Sequence, residues 1–547
     1  MVMKKILHVL LAMVIIAGGY LGIMAYEPSS YNFDEQTMTV AEAAGEKQAS
    51  VAVMMGHLKH IAFSAHPAGS VANQNVRAYL IEQIEAMGYV VREEHFTNTD
   101  PEVIAAATPD GEPLPEQLNM TNLVVEVAGT NPLATTLVMA HYDSTKHGPG
   151  AGDDGISVAS ILEAMRVLKA NGQPQNNFVF LFTDGEELKM LGAKDYVEKH
   201  PEMAETATFV LDFEARGTGG GMIMFRTSNG NNHLLHHYVA AVSTPMATSI
   251  GSSIFDLLPN GTDLTVFLNS NYEGAMDFLM LDGVENYHAP TDNYDNIDRN
   301  SAYQYTTTIS ELINYFAKIN DVENIENENA VYFPIFRGMQ IVMPESIAKV
   351  LAITAALLAV IAIVLLIVKK TFNKRQLLWG AIALVAIILC GAVIGFVTRI
   401  VVVNIIPVRL PLFAIYTVML IIILLAVLGI LRLFGKRLNF SGFAVWYLVL
   451  LAIATIILTF LLSGASYLPI FILLPLAGGI IIYTLIAEKY KQRTKKIVAI
   501  ITAAIASILV VPVLYLIFMA ILTPTLFIIG TLFAGSIAGY LSIYSLE

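Results

Sequence analysis

Residues Ala140–Gly155 read AHYDSTKHGPGAGDDG and hold two histidines, three aspartates and four glycines. An apolar run, TTLVMA, precedes them, and an amphipathic run, GISVASILEAMRVLKANG, follows. That succession reads as strand, glycine-rich loop and helix. Inside the loop Asp153 and Asp154 are neighbours. Adjacent carboxylates repel each other, and burying them is costly unless a cation or a proton compensates. A solvated turn would satisfy them with water, and a metal site would satisfy them with charge.

The same design recurs along the first 330 residues. VRAYLIEQIEAMGYVVREEHF (76–96) reads as a helix stopped at Gly88 and then a strand, and NLVVEVAG (122–129) as another strand. NNFVFLFTDGEE (176–187) and TATFVLDFEARG (206–217) both run from strand into polar residues. Strands alternating with helices imply an α/β fold, with a mixed, largely parallel sheet flanked by helices. Ligands of such sheets collect beyond the carboxyl ends of the strands. Three strand ends carry polar pairs there: His141 with Asp143, Glu186 with Glu187, and Asp212 with Glu214. Any one pair could cap a helix N-terminus. Three acidic clusters on one rim would repel strongly, which is a physical reason to expect cations.

Composition divides the chain. Of its 547 residues 14% are charged, the formal net charge is −13 and the mean hydropathy is +0.60, far too apolar for an ordinary soluble protein. Of the 45 acidic residues only Glu488 and Glu547 lie beyond Glu345. We therefore expect a membrane anchor in residues 1–30, an extracytoplasmic domain in 31–330 and a membrane domain of about seven spans in 331–547. The anchor is the apolar run Ile6–Tyr26; a cleaved signal peptide is the alternative, but no small-x-small cleavage site follows. The C-terminal spans read as about 347–368, 377–398, 410–431, 441–463, 467–487, 497–519 and 523–545, each near the ~20 residues a helix needs. Basic residues gather in alternate loops: Lys369, Lys370, Lys374 and Arg375; Arg432, Lys436 and Arg437; Lys489, Lys491, Arg493, Lys495 and Lys496. The positive-inside rule puts these loops, with Lys4 and Lys5, in the cytoplasm and the 31–330 domain outside. The sole cysteine, Cys390, lies within a span, so the outer domain relies on its core and not on disulfides. That suits a multi-pass protein of a bacterial cell membrane. The acidic balance argues against nucleic acid as a partner. The lipid bilayer is an expected partner, with no oligomeric state assigned.

Charge balance suggests the metals. Two zinc ions bring four positive charges; Asp153, Glu187 and Glu214 supply three negative ones, and a bridging hydroxide would supply the fourth. One neutral histidine per ion completes each shell, and ENYHAPTDNYDNID (285–298) offers the second at His288. Two ions bridged by a carboxylate and a hydroxide, ~3.5–4 Å apart, form a hydrolytic arrangement.

The ordered set HYDS (141–144), GAGDDG (150–155), DGEELKMLGAKDY (184–196), LDFEARGTGGGMIMFRTSN (211–229) and YHAPTDNYDNID (287–298) resembles the dizinc aminopeptidase family. It is closest to the membrane-anchored branch that includes vacuolar membrane proteases and endoplasmic-reticulum metallopeptidases. HPAGSVANQNVRAYLIEQI (66–84) matches that branch too, and the resemblance covers about residues 50–320. It implies that His141, Asp153, Glu187, Glu214 and His288 bind metal, with Asp153 bridging. It also implies that Glu186 is the general base and that Asp143 accepts a hydrogen bond from the His141 ring. Asp292 would orient His288, and Asp154 would follow a cis peptide. Many relatives carry Asp as the third-strand ligand in an Asn-Leu-Asp pattern; here Glu214 aligns with it, as in the membrane branch, and Asp212 is its rival.

Other polar residues read more simply. His147 belongs to a solvated loop, and His60, His66, His233, His236 and His237 to surface or core. GTGGG (217–221) opens no helix and is followed by no Gly-Lys-Ser/Thr, so it is no phosphate cradle. The reading is a zinc-dependent exopeptidase, in the first instance an aminopeptidase, holding two Zn2+ ions and acting on peptide substrates. A single-zinc cyclising aminoacyltransferase of the same fold is one alternative, disfavoured by the presence of both His141 and Asp143. A transporter or receptor-like protein with a peptidase-like ectodomain is the other, disfavoured because Lys349, at the start of the first, is the only charged residue in the seven C-terminal spans.

Overall fold

The computed structural model describes residues 17–32, 37–43, 45–255, 261–322, 328–404 and 412–521. They fall into two compact units, one of residues 26–342 and one of residues 17–25 with 343–521.

The first unit is built on a seven-stranded sheet: β1 Arg92–Asn98, β2 Leu118–Val127, β3 Thr135–His141, β4 Asn177–Thr183, β5 Phe209–Phe213, β6 Ile223–Thr227 and β7 Ala275–Leu279. Their order across the sheet is β1-β2-β4-β3-β5-β7-β6. The central pairs β3–β4, β3–β5 and β5–β7 are parallel, and the outer pairs are antiparallel. The sheet is thus mixed, with its parallel part in the middle. β6 and β7 carry no alternation strong enough to be read as strands from the sequence.

Alternation along the central strands fills both faces. Val138, Ala140, Phe178, Phe180 and Phe182 face one core, which contains the helix Ile156–Asn171. Leu137, Met139, Val179 and Leu181 face the other, with Tyr196 and Phe267 from the helices Leu191–Lys199 and Asp263–Asn269. Every side chain from Ile156 to Leu168 is buried, because the helices Val51–Ile61 and Arg299–Phe316 cover its outer side. That helix ends at Gly172, whose φ of 96° only glycine adopts readily. Past residue 330, β8 Ala330–Phe336 and β9 Met339–Pro344 pair as a two-stranded ribbon.

Among the described residues the second unit contains six helices long and apolar enough to cross a membrane: Glu345–Val368, Lys374–Val401, Ile415–Phe434, Ser441–Leu461, Tyr467–Leu485 and Glu488–Ile517. They coincide with the first six expected C-terminal spans; the seventh, 523–545, lies outside the described residues, as does most of the Ile6–Tyr26 run. Ala348, Ala352, Ala355, Ala359 and Ala362 form a fully buried stripe on the first helix, which packs against Tyr467–Leu485. Small residues allow that close approach between apolar helices. The chain is a multi-pass membrane protein.

Candidate metal centre

Four parallel strand ends deliver the polar residues to one place. His141 is the last residue of β3, Glu186 and Glu187 follow β4, Glu214 follows β5, and His288 lies in the loop after β7. Asp153 arrives from the glycine-rich loop that ends where the helix Ile156–Asn171 begins. A Cβ on Gly152 would collide with the carbonyl of Gly217, and one on Gly148 with that of Ala289. The loop therefore needs glycine to lie against the segments bearing Glu214 and His288. Asp292 holds it from beneath: Oδ1 accepts the Gly152 N–H (2.6 Å) and Oδ2 the Asp153 N–H (3.2 Å). Asp292 thus fixes the loop backbone, where an orienting contact to His288 was expected. The Asp153–Asp154 peptide is cis, as expected.

The donor atoms form two adjoining groups, His141–Asp153–Glu214 and Asp153–Glu187–His288. His141 Nε2 lies 3.1 Å from Asp153 Oδ1 and 3.6 Å from Glu214 Oε2. His288 Nε2 lies 3.1 Å from Asp153 Oδ2 and 3.0 Å from Glu187 Oε2. Asp153 therefore turns one oxygen to each group. Donors around a tetrahedral zinc with bonds of about 2.0–2.2 Å stand about 3.3–3.6 Å apart, close to the spacing found. Glu187 Oε1 is buried without a hydrogen-bond donor, a vacancy in its bonding that a cation suits. Oxygen and imidazole donors in this number fit zinc. His288 has φ of 55°, a conformation uncommon outside glycine.

Electrostatics agree. Burial, then the Glu214 charge, pushes the Glu186 carboxyl well above the usual range. Burial and Asp153 push Glu187 up to about 8, and burial raises Glu214 to about 7. Burial disfavours the His288 cation, but hydrogen bonds to Asp153 and Glu187 outweigh it and raise that ring to about 10. An acidic, buried array of this kind demands positive charge, from protons or from metal.

One expected detail differs in its acceptor atom. The His141 Nδ1 atom lies 2.9 Å from the main-chain oxygen of Asp143 and 3.5 Å from its carboxylate. The carboxylate Oδ1 instead accepts the N–H of Glu186 (3.1 Å). Glu214, and not Asp212, joins the His141 group, as expected; Asp212 Oδ2 accepts the Leu264 N–H (2.8 Å). His147 is exposed, while His66 is buried and hydrogen-bonded by Nδ1 to the Ser64 carbonyl (2.9 Å). Sequence reading assigned no role to Tyr287, whose ring stacks on His288 with centres 3.7 Å apart, although its place beside a histidine was a visible signal.

Comparisons with known proteins agree with these motifs. Residues 122–313 match the model of a family described as Peptidase family M28. A vacuolar membrane protease of Candida dubliniensis is 31% identical over 282 residues, covering 50% of this chain and 29% of that protein. Endoplasmic reticulum metallopeptidase 1 of Mus musculus is 26% identical over 337 residues, covering 58% and 36%. The matched segment thus spans about a third of the length of these relatives, and both are eukaryotic. Among solved structures, an aminopeptidase from Aneurinibacillus sp. strain AM-1 is similar at a TM-score of 0.42 and 14% identity, over 53% of this chain and 98% of that one.

Proposed function

We propose that this chain is a membrane-bound zinc exopeptidase of the M28 type, acting as an aminopeptidase with two zinc ions. One observation carries the reading: Asp153 presents Oδ1 to His141 and Oδ2 to His288, so a single carboxylate serves two three-donor groups. When bound, zinc supplies Lewis acidity towards the scissile carbonyl and lowers the pKa of water. Glu186 stands beside the ligands without belonging to either group. Its carboxylate takes the proton from the attacking water and returns it to the leaving amine. Asp143 holds the Glu186 backbone by the 3.1 Å hydrogen bond, and its carbonyl leaves the His141 Nε2 atom facing the donors. An aminopeptidase suits a rim this rich in carboxylates, since the substrate's α-ammonium finds counter-charge there.

The basic residues at 369–375, 432–437 and 489–496 flank alternate ends of the apolar helices, which supports an extracytoplasmic peptidase unit. The functional test uses the full chain in detergent. Zinc content should approach two per chain, and aminoacyl-amides should be hydrolysed. A stoichiometry that stays at one under zinc-replete conditions, with cyclisation of N-terminal glutamine, would establish the cyclising reaction instead.

A further inference from the structure

Arg216 lies two residues past Glu214, and Tyr287 directly precedes His288. The guanidinium carbon of Arg216 lies 5.2 Å from the centre of the Tyr287 ring. That ring stacks on the His288 imidazole at 3.7 Å and 23°. The guanidinium is therefore within about 9 Å of the His288 ring centre.

The backbone builds this placement. Pairing between the β5 and β7 segments continues beyond the strands: the Glu214 N–H donates to the Phe278 carbonyl (2.9 Å) and the Arg216 N–H to that of Met280 (3.0 Å). Gly219 and Asp282 then exchange hydrogen bonds of 2.9 and 3.0 Å. Residues 214 and 216 leave an extended segment on the same side, so the arginine follows the ligand to the rim.

A half-buried guanidinium offers five N–H donors in a planar fork that matches a carboxylate. In a bound peptide the next carboxyl carbon lies about 3.5 Å beyond the scissile carbon. A bidentate Arg–carboxylate pair adds about 4 Å between carbons. A guanidinium carbon that binds this carboxylate thus lies about 7.5 Å from the scissile carbon, a span that a position within about 9 Å of the His288 ring can meet.

We propose that Arg216, held against Tyr287, binds a free carboxylate one residue beyond the scissile bond, making dipeptides the favoured substrate class. The inference rests on the peptidase reading above. Its test compares leucyl-glycine with leucyl-glycinamide on the full-length, zinc-loaded protein in detergent. The wild type favours the free acid by tenfold or more in kcat/KM, mainly through KM. Arg216→Gln brings that ratio to within twofold, and Arg216→Lys, which keeps charge but loses the fork, falls between. Zinc content is measured for each variant. Calorimetric titration with the same two compounds, carrying CH2–NH in place of the peptide bond, reads the preference as binding without turnover. Equal cleavage of acid and amide by the wild type, or a preference that survives Arg216→Gln, overturns the inference and leaves the peptidase standing. Cleavage of neither compound by zinc-loaded protein overturns both.

Discussion

The two units bury polarity in opposite ways. The 26–342 unit buries Asp143, Asp153, Asp154, Asp184, Asp212, Glu214, Asp263 and Asp277, all gathered around the strand ends. Among the described residues, the second unit buries only hydroxyl side chains such as Thr455, Thr484, Thr502 and Ser507. Each of those four donates to the carbonyl four residues back in its own helix, at 2.6–2.7 Å. Local bonds of that kind need no partner element. The carboxylates named in the first unit find their partners on other segments: Asp143 accepts from Glu186, 43 residues on, and Asp212 from Leu264, 52 residues on. Charge buried at such cost points to chemistry, and hydroxyls satisfied in place point to packing.

The largest test of that contrast is Glu186→Gln, which removes a proton acceptor and keeps size. Turnover should fall ~10²–10⁴-fold with zinc content unchanged, whereas Glu187→Gln should lose zinc together with activity. Zinc measured by mass spectrometry beside kcat separates the two. Loss of metal from Glu186→Gln would place both acids among the ligands.

A structural break comes next. Arg226 donates from Nε (3.0 Å) and Nη2 (2.7 Å) to Asp277 Oδ2, with both side chains buried. Arg226→Met strands that carboxylate and should cost about 3–5 kcal/mol. Amide exchange in β6 and β7 reads the loss. Trp379 and Trp446, the only tryptophans, belong to the other unit, so their fluorescence should not move.

A smaller effect is set by pH. Burial, then His60 and Arg166, lowers the buried His57 ring to about 3, and its Nδ1 lies 2.9 Å from the Tyr79 hydroxyl. The unfolded ring protonates near 6.5. Stability from the neutral ring is thus complete above about pH 6.5 and drains away as pH falls towards 3. His57→Gln should flatten the acid limb by up to about one proton, measured as the pH slope of unfolding free energy. An unchanged slope would show that the ring titrates alike in both states.

Thr455→Val should be the mildest change. Its bond to the Leu451 carbonyl is local, so the loss should be about 0.6 kcal/mol or less. Tryptophan fluorescence during denaturation is the readout. A cost above about 2 kcal/mol would show that the second unit also carries non-local polar contacts.

What the sequence determined by itself is what neighbouring residues encode. The apolar alternation of β3 and β4, the stop at Gly172 and the six apolar helices all rest on contacts within a few residues, so periodicity reveals them. Two Glu residues after a strand, or His and Asp two apart, are equally local signals. The tertiary structure decided the rest. β7 is a strand because β5 offers it an edge, and β6 because β7 does in turn, which no property of their own five residues announces. The Asp143 carboxylate accepts the Glu186 N–H because the β4 end arrives beside it, and Asp292 reaches the Gly152 amide from 140 residues away. Arg216 faces Tyr287 only because two loops keep pairing past their strands. Hydrogen bonds act over about 3 Å, so a residue type can suggest a role while only the folded chain settles which partner comes within that distance.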